Sequence, residues 1–224
     1  MTIKTIGIIG HGAFGTLLET LIRRFAPERE LRIHSNDVAP DGKRFFSLEE
    51  ACRSDAVILA VPISAFEEVL TTIIPLVQEA TVIVDISTVK IHTSALLRAK
   101  AVGRPFVSTH PMWGPESYEK KQGDISDFRI VIADSSLSDA QLASFMAFLT
   151  RCGFPIIRMG SDEHDRLLAE SLFVTHFVGQ TLQKAGIQRT AIDTPSFGFL
   201  MDAVESVRGD EALAIRLVHG DGLL

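Results

Sequence analysis

The chain has 224 residues, 46% hydrophobic and 22% charged, which suits one large globular domain or one domain with a small second one. Its 22 basic and 28 acidic residues give a net charge of -6, which argues against a general binder of nucleic acid or of an anionic membrane. Two cysteines, Cys52 and Cys152, make neither a disulfide framework nor a metal-ligand spacing, so a reduced, cytoplasmic setting and no bound metal are expected.

In chain order, the opening MTIKTIGIIG holds an apolar run too short to cross a membrane and lacks a small-residue cleavage site. It reads as a buried strand over 4–10. Further strands are predicted at 31–35, 56–62, 81–87, 105–110, 128–134 and 154–159. Several are apolar on both faces, as strands covered by helices on each side must be. Between them lie helical patterns at 14–25, 64–78, 91–100 and 138–151. This alternation predicts an α/β fold of the Rossmann type, a doubly wound and mostly parallel sheet, as a dinucleotide-binding domain over residues 1–159.

From Ser161 onward only helical periodicity is visible. Ser161 and Asp162 are candidate N-caps and Gly186 a stop. A second helix is expected over about 191–207, with Pro195 in its first turn or breaking it, and a third in DEALAIRLVHG. Residues 160–224 are therefore expected to form a short all-helical segment for substrate and dimer contacts. It is too small to close a core alone and must pack on the first domain or on a second subunit.

Three strand ends carry the candidate chemistry. GIIGHGAFGTLLETL places Gly10, Gly12 and Gly15 in G-x-G-x-x-G spacing, with Ala13 and Phe14 inside the motif, after a strand and opening a helix. Gly10 permits the tight turn, Gly12 the approach of a pyrophosphate, and Gly15 close packing of helix on sheet. The second strand ends in HSND, so Ser35 stands where an acid would hold an adenosine ribose, and Asn36 follows. Ser35 does not repel a 2′-phosphate, and no arginine follows it to bind one. NAD(P) is expected, with the choice between NAD and NADP open. Val61 and Pro62 close the third strand in a loop beside the cofactor. DISTVK (85–90) ends the fourth strand and STHPMWGPE (108–116) the fifth. His110, poised near neutral pH, can take a proton from a hydroxyl while a nicotinamide takes the hydride.

GHGAFG, DISTVK, THPMWGPES, DEHD and THFVGQTL together resemble the prephenate and arogenate dehydrogenase family of tyrosine biosynthesis. HPMWGPES, AIDTPSF and VESVRGDE are similar to the plant-type arogenate dehydrogenases in particular. The resemblance implies NAD(P)-dependent oxidative decarboxylation of a small cyclohexadienyl acid, arogenate or prephenate, with His110 as base at the ring hydroxyl. Thr88 falls where the family usually has a serine assisting that histidine. Glu116 matches a glutamate near the substrate pocket, His176 a histidine lining it from the helical part, and Trp113 would wall it.

Each also has a plain structural role: Thr88 capping a helix that begins near Ile91, Glu116 a solvated loop carboxylate, His176 a core histidine among Phe173, Phe177 and Val178. His164 and Asp165 read as helix-start residues. Lys90 reads as an anchor for a carboxylate or phosphate, or as a surface lysine. Arg208 is the best-placed cation of the last part for a substrate carboxylate. Family members usually continue past RLVHGDGLL with helices that build a dimer, so an exposed apolar helix face and a homodimer are expected here. Two other readings stay open: another NAD(P)-dependent dehydrogenase of the hydroxyacid or imine-reducing kind, and a non-catalytic dinucleotide-binding protein.

Overall fold

The computed structural model of the chain describes residues 3–207. They divide into two compact units, with the division between His164 and Asp165. The first unit is built on seven strands: β1 (Thr5–Ile9), β2 (Glu30–His34), β3 (Ala56–Leu59), β4 (Val82–Asp85), β5 (Phe106–Pro111), β6 (Ile130–Ser135) and β7 (Ile156–Arg158). They form one sheet in the order β2-β1-β3-β4-β5-β6-β7. All neighbours are parallel except β5 and β6.

Six helices connect them: α1 (Ala13–Phe25), α2 (Leu48–Cys52), α3 (Ile63–Ile73), α4 (Lys90–Lys100), α5 (Pro115–Lys120) and α6 (Asp139–Arg151). Right-handed crossovers decide their faces. The connection from β1 to β2 runs one way along the sheet, and those from β2 through β5 run the other way, so α1 lies on one face and α2, α3 and α4 on the opposite one. On the α2–α4 face, Cys52, Phe66, Leu70, Ile73 and Leu97 close over Val57, Leu59 and Ile83 without solvent exposure. The sheet reverses direction at β6, which returns α6 to the α1 face. Among the described residues no helix covers β3, β4 and β5 between α1 and α6, and an apolar groove of about 440 Å³ lies there. Ile58 and Val84 form its floor, with Ile22 and Phe25 on one wall and Phe145 and Phe148 on the other.

Local signals set the helix limits. Ser47 and Ser138 open α2 and α6 with reciprocal capping boxes to Glu50 and Gln141. Gly153, at φ +98°, turns the chain after α6 in a conformation that glycine adopts readily.

The second unit contains α8 (Val174–Lys184) and α9 (Pro195–Ser206). The preceding helix α7 (Ser161–Leu168) begins in the first unit and leads into a π-helical turn over Ala169–Phe173. Pro195 does not break its helix: it occupies the first turn, behind a Thr194 side chain that caps the Phe197 amide. A Cβ on Gly179 of α8 would lie 2.4 Å from Val207, so glycine is what lets α8 and α9 close together. Arg189, in the connection between the two helices, pairs with Asp202 and Glu205 of α9. The third helix read in DEALAIRLVHG, and Arg208, lie outside the described residues. Among the described residues no helix is long and apolar enough to cross a membrane.

Candidate active site

Parallel strands deliver their following loops to one edge. The glycine turn after β1, Ser35 and Asn36 after β2, Val61 and Pro62 after β3, Thr88 after β4 and His110 on β5 therefore share the carboxyl edge of the sheet. The strand order reverses between β1 and β3, which opens a crevice at that point.

The glycine turn is shaped by contact. Gly10 has φ +100°, and a Cβ there would lie 2.4 Å from the Ala60 carbonyl, with Val61 at 3.0 Å. A Cβ on Gly15 would lie 2.3 Å from the Gly10 carbonyl, so α1 can only sit this close to the turn with glycine inside it. Gly12 differs from both: a Cβ there would meet nothing within 4 Å. It is the N-cap of α1, without a side chain to cap the first amides, and no acid stands in the first turn. An open approach to uncapped amides fits a pyrophosphate, because the amides and the helix dipole both favour an anion.

His11, between the first two glycines, is tied down by Glu19 at 2.9 Å. Glu19 also accepts from Arg23 at 3.0 Å and from Arg44 at 2.8 Å, so the loop after β2 is pinned to the same carboxylate. Burial works to raise the Glu19 pKa, but hydrogen bonds from Arg44, His11 and Arg23 outweigh it and bring it down to about 2. Ser35 is buried and takes the Asp37 amide on its hydroxyl, whereas Asn36 is exposed and contacts His34.

The end of β4 holds a buried network. Lys90, read from sequence as an anion anchor or a surface residue, is fully buried and pairs with Asp85 at 2.5 Å. Its ammonium also donates to the Thr109 carbonyl at 2.7 Å. Asp85 accepts in addition from Thr93 at 2.7 Å, Ser108 at 2.8 Å and the Ser87 amide at 2.7 Å. A hydroxyl chain runs into it: Ser161 donates to Ser94 at 3.0 Å, and Ser94 to Ser108 at 3.1 Å. The bonds from Lys90 to the Thr109 carbonyl, from Ser108 to Asp85 and from Ser94 to Ser108 restrain the end of β5 on which His110 stands. β5 carries a register irregularity between Ser108 and Thr109, a feature common beside active sites.

Alternation along β5 separates two groups. Val107, Thr109 and Pro111 point to the groove face. Ser108 and His110 point to the other. His110 is 6% exposed, and its Nδ1 lies 2.9 Å from Nε2 of His164, which is 3% exposed. The two rings meet edge to face. His164 comes from the first turn of α7, the turn that also sends Ser161 to Ser94. Reading His164 as a helix-start residue missed this, since nothing in a separation of 54 residues says that the two imidazoles meet.

The other expected residues are placed as follows. Thr88 is half-buried, and among the described residues no hydrogen bond joins it to His110; nor does it cap α4, whose N-cap is Val89. Trp113 stacks on Phe128 and Phe154 and meets Phe14 of the glycine motif at 5.5 Å, so its ring is built into the packing between α1 and the sheet and lines the apolar groove. Glu116 is exposed in the first turn of α5, where a carboxylate suits the helix dipole, and Pro115 opens that helix. His176 is buried on α8 in the second unit. Among the described residues no cluster of three or more His, Cys, Asp or Glu could hold a metal ion.

A switch-point crevice, a glycine turn open to an anion and an imidazole at the same sheet edge define a Rossmann-type dinucleotide-binding domain with a candidate acid–base group. Residues 29–157 match the prephenate dehydrogenase nucleotide-binding domain. The chain belongs to the prephenate/arogenate dehydrogenase family.

Among its relatives, it is 31% identical to arogenate dehydrogenase 2, chloroplastic, of Arabidopsis thaliana, over 92% of this chain and 60% of that protein. It is 31% identical to arogenate dehydrogenase 1 of the same plant, over 92% of this chain and 34% of that one. The chain thus spans about a third to three fifths of the length of these relatives. In fold it is similar to the Synechocystis arogenate dehydrogenase (TM-score 0.70, 18% identity, 96% of this chain and 82% of that one). It is equally similar to prephenate dehydrogenase from A. aeolicus in complex with hydroxyphenyl propionate and NAD+ (TM-score 0.70, 16% identity, 97% and 87%).

Proposed function

We propose that the chain carries out the oxidative decarboxylation of arogenate or prephenate with NAD(P), as a step towards tyrosine, and that His110 is the base. The observation that carries the reading is the position of His110: the carboxyl edge that bears the glycine turn also bears an imidazole whose backbone and ring are both held. Gly10, Gly12, Ala13, Phe14 and Gly15 would hold the dinucleotide by its pyrophosphate, flanked by Ser35, Asn36, Val61 and Pro62, and its oxidised nicotinamide would supply a hydride acceptor. His110 takes the proton of the ring hydroxyl as the hydride leaves the carbon that bears it. The bond from ring to carboxylate then breaks, carbon dioxide departs, and its electron pair passes through the ring to the oxygen. His110 returns the proton to that oxygen, giving a phenol, and aromatisation makes the step effectively irreversible.

Within the same proposal, Thr88, Glu116 and His176 belong to the substrate side, and the relatives' names support arogenate as the first substrate to test. Homodimerisation is supported by apolar side chains that the second unit exposes, Val174 and Phe177 on α8 and Phe199 on α9. A cytoplasmic setting agrees with two free cysteines.

The test is formation of the reduced nicotinamide with arogenate and prephenate, each paired with NAD and NADP. Turnover with one pair, falling about 10²–10⁴-fold in His110→Asn, is the expected result. A His110→Asn protein that keeps its turnover overturns the assignment of the base.

A further inference from the structure

A base needs a lone pair, and a neutral imidazole has one on only one of its two nitrogens. Which nitrogen of His110 carries the proton is therefore as decisive as where the ring stands. Its Nδ1 is 2.9 Å from Nε2 of His164, and both rings are almost fully withdrawn from water. A hydrogen bond between two neutral imidazoles requires one to donate and the other to accept. If His164 donated, His110 would be protonated at Nε2 and have no lone pair to offer a substrate. If His164 accepts, His110 carries its proton on Nδ1 and its lone pair on Nε2, the nitrogen at the far side of the ring from His164.

We propose that His164 is the positioning residue for the base: its Nε2 accepts from Nδ1–H of His110 and so holds that ring in the one tautomer able to deprotonate the substrate hydroxyl. The inference rests on the base role proposed for His110. It gives His164 the part that a carboxylate plays behind the base in serine hydrolase triads, with a neutral acceptor in its place. When His110 takes the hydroxyl proton at Nε2 it becomes an imidazolium, and the Nδ1–H···Nε2 bond becomes charge-assisted and stronger, so the pair favours the protonated state as it forms. The proton stays within reach of the phenolate oxygen for its return, and none is lost to water.

The geometry behind His164 is built to hold this position. His164 sits in the first turn of α7, and its amide donates to the Gly160 carbonyl at 2.9 Å. One turn earlier on the same face, Ser161 is bonded to Ser94 of α4. The start of α7 is thus anchored twice to the end of β5, once through the hydroxyl chain to Asp85 and once through the imidazole pair.

The test is long-range ¹H–¹⁵N correlation on the full chain labelled at histidine, which separates the two neutral tautomers. The signals of His110 and His164 are assigned by their loss in His110→Asn and His164→Phe. His110 is expected protonated at Nδ1 in the native protein, and to leave that form in His164→Phe. In the same variant kcat falls about 10- to 100-fold with KM little changed, as for other groups that orient a functional imidazole from behind. His164→Gln, whose side-chain oxygen can accept near the position of Nε2, restores both the tautomer and most of kcat. His110 protonated at Nε2 in the native protein, or unchanged in His164→Phe, overturns the inference, and the first of these needs no variant that might misfold. Retained turnover in His110→Asn beside an Nδ1-protonated native signal would sink the base assignment while leaving the tautomer assignment standing.

Discussion

Replacing Lys90 by methionine removes the cation from a pair that has no contact with solvent at either side chain. Asp85 keeps its bonds from Thr93, Ser108 and the Ser87 amide, but these donors are dipoles and do not balance a full charge. Breaking a buried pair from one side typically costs about 3–5 kcal/mol, because the remaining charge is left in a poorly polarisable site. The Thr109 carbonyl also loses its bond from the ammonium, next to the backbone of His110. An exposed pair at the same distance would contribute only about 0–1 kcal/mol, so the burial sets the magnitude. The assay is urea unfolding followed by the fluorescence of the single tryptophan, Trp113, which stands in the first unit and reports on it. Lys90→Met, Asp85→Asn and the double variant complete a cycle, with a coupling of about 2 kcal/mol or more expected. A Lys90→Met protein that loses under about 1 kcal/mol, with effects that simply add in the double variant, would refute the argument that this pair is buried and mutually dependent.

Glu19 gives a pH dependence of defined sign. Its pKa in the folded chain is about 2 against an ordinary 4.5, so its stabilisation is complete above pH 4.5 and is lost as the pH falls towards 2. Glu19→Gln should therefore be less stable than the native chain at pH 7, with the gap closing between those limits; a gap independent of pH would refute the network around His11. The glycine turn separates binding from folding. Gly12→Ala meets open space and should leave the thermal midpoint within a few degrees while weakening NADH binding, whereas Gly15→Ala, 2.3 Å from the Gly10 carbonyl, should lower both. Equal thermal losses in the two variants would contradict the contacts described for the turn.

What the amino-acid order determines unaided is local. Apolar runs of strand length, the helical periods between them and the glycine spacing predict all seven strands, helices α1, α3, α4 and α6, and the turn at Gly10–Gly15, because each depends on neighbours within a few residues. Pro195 and Gly186 show the same locality: one starts a helix and the other, at φ +71°, follows the end of α8. The short helices α2 and α5 escape periodicity because five or six residues span less than two turns.

Tertiary structure decides what distant residues do to one another. Lys90 looks like a surface cation until Asp85, Thr109 and the packing of α4 on β5 enclose it. Trp113 looks like a free pocket wall until Phe14, Phe128 and Phe154 cover it. His164 looks like part of a helix start until the chain returns it to His110. In each case partners separated by 5 to 99 residues are joined only when the sheet order and crossover handedness bring one strand edge and two helix ends together, and burial then turns an ordinary polar side chain into a committed one.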